Sequence, residues 1–583
     1  MNTNLDIKTS LVNDYLIKDS KKIKASKSSI FKIFIFLLII GLIILSIVII
    51  NFSFSSNGLS LFSRNLKNFF TPVQKSEIFL NQNLWILSFK FLFTSIKITF
   101  LGTTIGLILA LITSYFSNLK MNYKFIAIPF KIVVILLRLL PELFFIYLFQ
   151  NSAEKMIAIN LIFIWFTWLW LHEYFSQIIE NADFNIYYWM LKNKTSRFYA
   201  FKKEIWPQIR VKFFNYIFYA FESNIRWSTI LSKLAFPGIG LLINPSISSL
   251  DNYYNELLIP LVTLLGFLLF LELSSYLLKK FFFVSKSHEF NYKKYQIDKG
   301  IKNFVLILLL ILFITLIALA IKDLNGLKFY NSQAKKNFKD FFNPNWSEIK
   351  FSLDKQGIFW IVLELLALVF LTLVMTLFIA YFKMFLLTSS LVKKTIKSIF
   401  GFSNIFIRTI PVISLYFLIS ALYNMPAAAF SIVFSIHGAS TLSRAMTSSL
   451  NNISINKIEQ LKKNHFSLLR IYHDYVLVTI KTDLITFISF EIEKTLRNFI
   501  TYGLYSASLF GEKIIQTRVR EIPEIAPYLW LSFFILAIIS FTSYLLRNNN
   551  YNKLKFSIKN LFLNKTKKDW TMVYSLVQSF LIF

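Results

Sequence analysis

Two runs of eighteen residues, Ile33–Ile50 and Phe304–Ile321, contain no ionisable side chain. A helix of that length matches the apolar core of a bilayer, about 30 Å thick, so each run is expected to cross a membrane. The rest of the chain agrees. Of its 583 residues 55% are hydrophobic and only 16% charged, against roughly 25% charged in soluble domains. Mean hydropathy is +0.56. A soluble chain must cover its surface with polar groups, so these proportions exclude a soluble multidomain enzyme. The first run is too long for the apolar core of a cleavable signal, and no small-residue cleavage site follows it. Further apolar stretches lie near 89–117, 124–150, 155–178, 211–236, 256–278, 358–383, 398–423, 425–447, 479–506 and 524–546. The expected fold is an all-α polytopic membrane protein with about 12 transmembrane helices.

The charge balance is 63 Lys and Arg against 30 Asp and Glu, a net +33. Nucleic-acid binding is one reading of such an excess. Its distribution favours cationic loops held on the cytoplasmic face. Residues 1–30 carry six Lys and three Asp, 279–302 carries seven Lys, and 547–569 carries Arg547 and six Lys. Segment 184–212 carries Lys192, Lys194, Arg197, Lys202, Lys203, Arg210 and Lys212 against Glu204 alone. By contrast, 52–88 has only Arg64, Lys67 and Lys75 against Glu77. A plasma-membrane, multi-pass protein with both termini cytoplasmic is expected. Segments 184–212, 279–302 and 453–481 should face the same side. The 323–356 loop, with six Lys and four acids, is close to neutral in this vote. The absence of cysteine excludes disulfides, thiolate metal sites and cysteine nucleophiles.

Self-similarity divides the chain. The two uninterrupted runs start 271 residues apart, Arg138-Leu-Leu-Pro141 recurs as Arg408-Thr-Ile-Pro411, Glu222 and Arg226 recur as Glu493 and Arg497, and Gly240 recurs as Gly511. A nearly constant offset predicts an internal duplication of two parallel six-span repeats. The units are 31–280 and 303–546, joined by a linker at 281–302. They are flanked by a basic segment at 1–30 and a basic tail at 547–583, whose last part, 570–583, is apolar. Parallel repeats are related by an axis along the membrane normal, with a pathway expected between them.

Intramembrane charge marks the candidate path. Glu222 with Arg226, and Glu493 with Arg497, have the helical i,i+4 spacing at which side chains meet. An Arg at mid-bilayer costs about 2.5–3.5 kcal/mol on insertion scales, so it faces protein or a cavity. Each pair either neutralises itself within the bundle or presents its Arg fork to an anionic solute. Arg138 and Arg408 precede Pro141 and Pro411 by three residues, and a proline there predicts a kinked span. The substrate-path candidates are therefore Arg138, Pro141, Glu222, Arg226, Arg408, Pro411, Glu493 and Arg497. The basic segments between the fourth and fifth spans read either as plain cationic loops or as short helices that dock onto a motor protein.

Arg138-Leu-Leu-Pro-Glu-Leu, Phe221-Glu-Ser-Asn-Ile-Arg226 with Pro237-Gly-Ile-Gly240, and His437-Gly-Ala-Ser-Thr-Leu resemble the spans of phosphonate-type ABC importer permeases. The resemblance covers roughly 85–280 and 355–546 and implies a fused double permease, similar to those of mycoplasma-type high-affinity transport systems. That family has a cytoplasmic signature: Glu-Ala-Ala, three residues, Gly, and Pro thirteen after the Gly. On this chain the Gly falls at Lys194 with Tyr188 opening the triplet and Pro207 closing the motif. In the second copy the positions are Glu459, His465 and Val478. Only Pro207 and Glu459 keep the family's residue. The resemblance implies a membrane subunit that imports a phosphonate-like or other phosphorus-containing anion. It further implies two copies of a cytoplasmic ABC ATPase subunit, which would bind the ATP and magnesium, and an extracellular substrate-binding lipoprotein.

The chain itself holds no Gly-x-x-x-x-Gly-Lys-Ser/Thr phosphate loop, so it is expected to be a transport subunit without an ATPase site, with no cofactor, catalytic residue or metal. Its five His are scattered, and His437 reads as a packing residue rather than a ligand. The alternative is a secondary transporter of duplicated six-span architecture driven by an ion gradient, with Glu222, Glu491 and Glu493 as its available acids. A membrane-embedded enzyme would need an acid, base or metal constellation that the sequence does not offer.

Overall fold

The computed structural model describes residues 28–547 apart from 78, 245–252, 284–291, 389, 452 and 516–520. The N-terminal segment up to residue 27, linker residues 284–291 and the tail beyond 547 lie outside the described residues. The chain opens with α1 (Ser28–Ile50), α2 (Gly58–Phe70), α3 (Leu84–Phe116), α4 (Lys124–Leu139) and α5 (Glu142–Gln150). Then come α6 (Lys155–Glu180), α7 (Asn185–Lys192), α8 (Arg197–Ala200), α9 (Trp206–Leu231), α10 (Gly240–Ile243) and α11 (Tyr253–Phe283). A second series follows: α12 (Tyr292–Leu324), α13 (Asn331–Phe341), α14 (Ile358–Leu387), α15 (Lys394–Thr409), α16 (Val412–Ser420) and α17 (Pro426–Ala445). It continues with α18 (Thr447–Asn451), α19 (Ile455–Lys463), α20 (Leu468–Ile471), α21 (Leu477–Thr479), α22 (Lys481–Thr501), α23 (Leu509–Ile515) and α24 (Ile522–Arg547). The described parts of the 281–302 linker are helical, ending α11 and opening α12.

Among the described residues, seven helices (α1, α3, α6, α11, α12, α14 and α24) are long and apolar enough to cross a membrane. The number rises to nine if each of two bent pairs, α4 with α5 and α15 with α16, is one span. The chain is thus an all-α polytopic membrane protein with seven to nine such candidate spans among the described residues. The other three expected spans, 211–236, 425–447 and 479–506, fall on α9, α17 and α22. These helices carry the polar interior, and Glu222, Arg226, His437, Arg444, Glu491, Glu493, Lys494 and Arg497 lower their apolarity.

The bent pairs also correct the expected kink. Leu140 and Pro141 have extended backbone between α4 and α5, as do Ile410 and Pro411 between α15 and α16. The helices meet at 82° and 89°. A proline strips one hydrogen bond and pushes the residue before it out of the α region, so the helix breaks completely instead of bending.

Packing between the two series is reciprocal. α1 lies against α14 and α12 against α3; α2 packs on α11 and α16, and α13 on α24 and α5; α11 touches α15 and α24 touches α4. Short backbone bridges join Phe54 to Tyr423 and Ala153 to Phe329. Docking of α12 on α3 includes the ion pair Lys97–Asp323 and an edge contact of Phe100 with Phe313. One apolar core runs across both series, from Phe144, Phe163 and Leu231 to Phe430, Phe499 and Phe510.

Small residues set the closest approaches, as expected where lipid removes the hydrophobic incentive for helices to associate. α3 crosses α6 at Gly102 and Gly106. A Cβ at Gly106 would stand 2.6 Å from the Ile164 carbonyl oxygen and 2.7 Å from Thr167 Cβ. The recurring Gly240 and Gly511 have one physical origin. Each folds the chain after a long helix back onto that helix, where a Cβ would meet Thr229 Cα at 2.6 Å or the Ile500 carbonyl at 2.5 Å.

Candidate functional site

Breaking α4–α5 and α15–α16 places Arg138 and Arg408 on the last turn of the first helix of each pair. From there each reaches across to the other series. Arg408 Nη2 lies 3.4 Å from Glu222 Oε1, and Arg138 Nη2 lies 3.7 Å from Glu493 Oε1. The i,i+4 partners complete each group: Arg226 Nη2 is 3.4 Å from Glu222 Oε1 and Arg497 Nη2 is 3.0 Å from Glu493 Oε1. The same two arginines grip the broken backbone. Arg226 Nη1 donates to the Arg408 carbonyl at 2.7 Å, and Arg497 Nη2 donates to the Arg138 carbonyl at 3.2 Å. These carbonyls are available because the following Pro residues disrupt regular helical bonding.

Neither reading of the Glu/Arg pairs in isolation describes this arrangement. The pairs do neutralise themselves, and they also hold the seam between the series. Glu222, Glu493 and Arg408 are buried. Pro141 and Pro411 make the breaks.

Three further charges belong to the site and were not singled out in the sequence. Glu173 Oε2 lies 2.8 Å from Arg138 Nη1, Glu272 Oε2 lies 3.6 Å from Arg408 Nη2, and Glu272 also pairs with Arg444. Glu173 and Arg444 are 271 residues apart, so the recurring offset puts opposite charges at equivalent places. Glu142 accepts from Thr501 Oγ1 at 3.1 Å and stands 3.9 Å from Arg497; its equivalent is Val412. One side of the seam thus holds Arg138 and Arg497 with Glu142, Glu173 and Glu493. The other holds Arg226, Arg408 and Arg444 with Glu222 and Glu272.

The basic segments lie apart from this seam and form two compact turns. α7, α8 and the residues 201–205 pack under α3, α6 and α9, with Tyr187 fully buried. Burial pushes the Tyr187 phenol up to about 12. Ser196 caps α8 by accepting from the Tyr199 amide at 3.3 Å, and Ser467 caps α20 by accepting from the Arg470 amide at 3.4 Å. Lys194 and His465 adopt left-handed backbone, with φ of 60° and 58°. These are the two positions at which the resemblance places a Gly. Pro207 opens α9, and Val478 lies in α21. Tyr188 and Trp189 are exposed on α7, and Ile455, Lys457 and Glu459 are among the exposed residues of α19. The hydrogen bond from His473 to Asp474, 2.8 Å long, is the main cause holding the Asp474 carboxyl below its ordinary value.

Fold and site together define a helical membrane protein whose polar seam is cross-braced by arginine–glutamate pairs from two helix series. Over 474 residues the chain is 28% identical to the ABC transport system permease protein p69 of Mycoplasma pneumoniae, covering 80% of this chain and 84% of that one. It is 27% identical over 473 residues to the protein of the same name from Mycoplasma genitalium, covering 79% and 84%. No family model and no solved structure matches it.

Proposed function

We propose that this chain is the membrane-spanning permease subunit of an ABC importer, built from two copies of one permease unit. It would form the translocation path for a phosphonate-like or other phosphorus-containing anion and be powered by separate ATPase subunits. The observation that carries the reading is the reciprocal bracing of the seam: each series supplies the acid and fork that hold the other's broken helix. The similarity along four-fifths of the chain to proteins named ABC transport permeases supports the class. The recurrence of α4 to α9 as α15 to α22 at offsets near 271 supports the duplication. Arginine favours the anion because its planar donors match two oxygens at once.

In this mechanism two ATPase subunits press on the segments 188–207 and 459–478, with both termini on the same cytoplasmic side. Drawing the segments together rocks one series against the other about the seam. Arg138 and Arg408 then exchange their partners' carboxylates for solute oxygens. A substrate-binding lipoprotein outside would deliver the solute.

The test is uptake of labelled methylphosphonate into proteoliposomes holding the chain and its ATPase. ATP-dependent uptake is expected, lost in Arg226→Ala with Arg497→Ala although the protein still inserts. Because the chain has no cysteine, a single Lys194→Cys residue should cross-link to the ATPase without competing thiols. Uptake driven by an ion gradient and indifferent to ATP would instead establish a secondary transporter.

A further inference from the structure

The two sides of the seam differ in charge, and the difference extends into a second cluster whose lysines and glutamate belong to the later helix series. α14, α17 and α22 bring Thr376, Lys383, His437, Ser440, Thr441, Glu491 and Lys494 together. Lys383 Nζ donates to Ser440 Oγ at 2.6 Å; Lys494 Nζ lies 3.1 Å from Glu491 Oε1 and donates to Thr441 Oγ1 at 3.2 Å. Gly438 lets the helices close here, since a Cβ would stand 2.7 Å from Glu491 Oε1 and 3.1 Å from Thr376 Oγ1.

Two groups in this cluster are buried with no partner: the Nε2 of His437, a residue 8% exposed, and the Oγ1 of Thr376, a residue 1% exposed. The Nε of Arg226, reaching in from the first series, is a third. The His437 ring feels the charges of Arg226, Lys494 and Lys383. An unsatisfied polar atom in an apolar interior costs about 1–3 kcal/mol, and a polar guest bonded to these three would recover that cost.

Residues 271 positions earlier are apolar or small. Ile105, Ile112, Phe166, Ala220 and Ser223 stand where the second series has Thr376, Lys383, His437, Glu491 and Lys494. Phe166 makes an edge contact with Trp227 there. The charge count follows the same division. Arg226, Arg408, Arg444, Lys383 and Lys494 oppose only Glu222, Glu272 and Glu491, leaving two positive charges. On the other side Arg138 and Arg497 oppose three acids, so an anion that passes there gains less by coming to rest.

We propose that the solute rests on one side of the seam, in an oxyanion site built by Lys383, His437 and Lys494 with Arg226, which takes a doubly charged phosphonate or phosphate group. This rests on the importer reading and deepens it: the path is two-sided, but the resting site is not. The donors are N–H and N–H⁺ groups, suited to tetrahedral oxyanions, and a dianion matches the local excess.

The experiment is equilibrium binding of methylphosphonate and of inorganic phosphate to the full chain in lipid nanodiscs. Lys383→Ile and His437→Phe install the first series' own residues, and His437→Gln is the milder variant. Saturable binding to the unaltered chain is expected, weakened tenfold or more by each of the first two. Lys97→Met, which removes a half-buried cation elsewhere, should leave affinity within twofold. Thermal unfolding confirms that each variant folds; if Phe or Ile at these sites unfolds the chain, His437→Gln decides alone, with a loss of threefold or more expected. Unaltered affinity in folded variants overturns the one-sided site while leaving the importer standing. Failure of the unaltered chain to bind either probe, with ATP-driven uptake of a neutral or cationic solute, overturns the anion reading and this site with it.

Discussion

The brace between Arg408 and Glu222 makes a quantitative demand. Their 3.4 Å separation corresponds to an attraction of about 5 kcal/mol at an effective dielectric of about 20, before desolvation is charged against it. Both side chains are almost wholly buried, 8% and 9% exposed. Arg408→Met strands neither acid, since Glu222 keeps Arg226 at 3.4 Å and Glu272 keeps Arg444. Its cost should be about 2–3 kcal/mol, below the 3–5 kcal/mol typical of a fully orphaned buried charge. Glu222→Gln removes the acid shared by two arginines and should cost more, about 3–5 kcal/mol. Combining them should recover about 1–3 kcal/mol relative to the sum of the single changes. The mirror pair, Arg138 with Glu493 at 3.7 Å, should couple less, because Arg138 is already held by Glu173 at 2.8 Å. Both cycles can be read from reversible unfolding in mixed detergent micelles. Additive losses for Arg408 and Glu222, within about 0.5 kcal/mol, would show that the seam is not held by this charge pair.

Three other outcomes follow from local geometry. Lys194→Gly and His465→Gly should each stabilise the chain by about 0.5–1 kcal/mol, because both side chains sit in left-handed backbone that glycine adopts freely; unchanged unfolding midpoints would contradict the strain. Gly106→Leu should separate α3 from α6 and destabilise by about 1–3 kcal/mol, whereas Gly266→Ala, whose Cβ meets nothing within 4 Å inside α11, should not destabilise and should gain up to about 1 kcal/mol in the same assay. Asp474 titrates lower in the folded chain than in the unfolded one. Its small contribution is therefore complete above the ordinary carboxylate value and vanishes as pH falls through the depressed one. Amide exchange across 468–476 should accelerate in that acidic window, and His473→Ala should move the onset to higher pH; an unmoved onset would remove the His473 contact as the cause.

Much of the architecture was legible because its causes are local. Eighteen charge-free residues imply a span whatever surrounds them, and a four-residue Glu-to-Arg spacing brings those side chains together on any helix. The offset near 271 could be read from Arg138/Arg408, Glu222/Glu493 and Gly240/Gly511 alone. The resemblance singled out Lys194 and His465, two residues with little in common, and the structure gives both left-handed backbone. Spans rich in charge were the weak point. α9, α17 and α22 fall short of spanning apolarity because their polar faces are covered by other helices, which hydropathy along one segment cannot register.

What the sequence by itself determined is therefore the apolar helices, a disturbance of the helix at Pro141 and Pro411, and the identity of the recurring arginines. Only the tertiary structure decided whom those arginines serve. Arg408 meets Glu222 and Glu272 from the first series, and Arg138 meets Glu493 from the second. Such partners, separated by 136 to 355 residues, are chosen by how α4–α5 and α15–α16 cross the opposite bundle, not by periodicity. The sign reversal between Glu173 and Arg444 was visible in the chain but had no meaning until Glu272 was found between Arg408 and Arg444. Charges interact over a few ångströms of space, and only the packed backbone sets those distances.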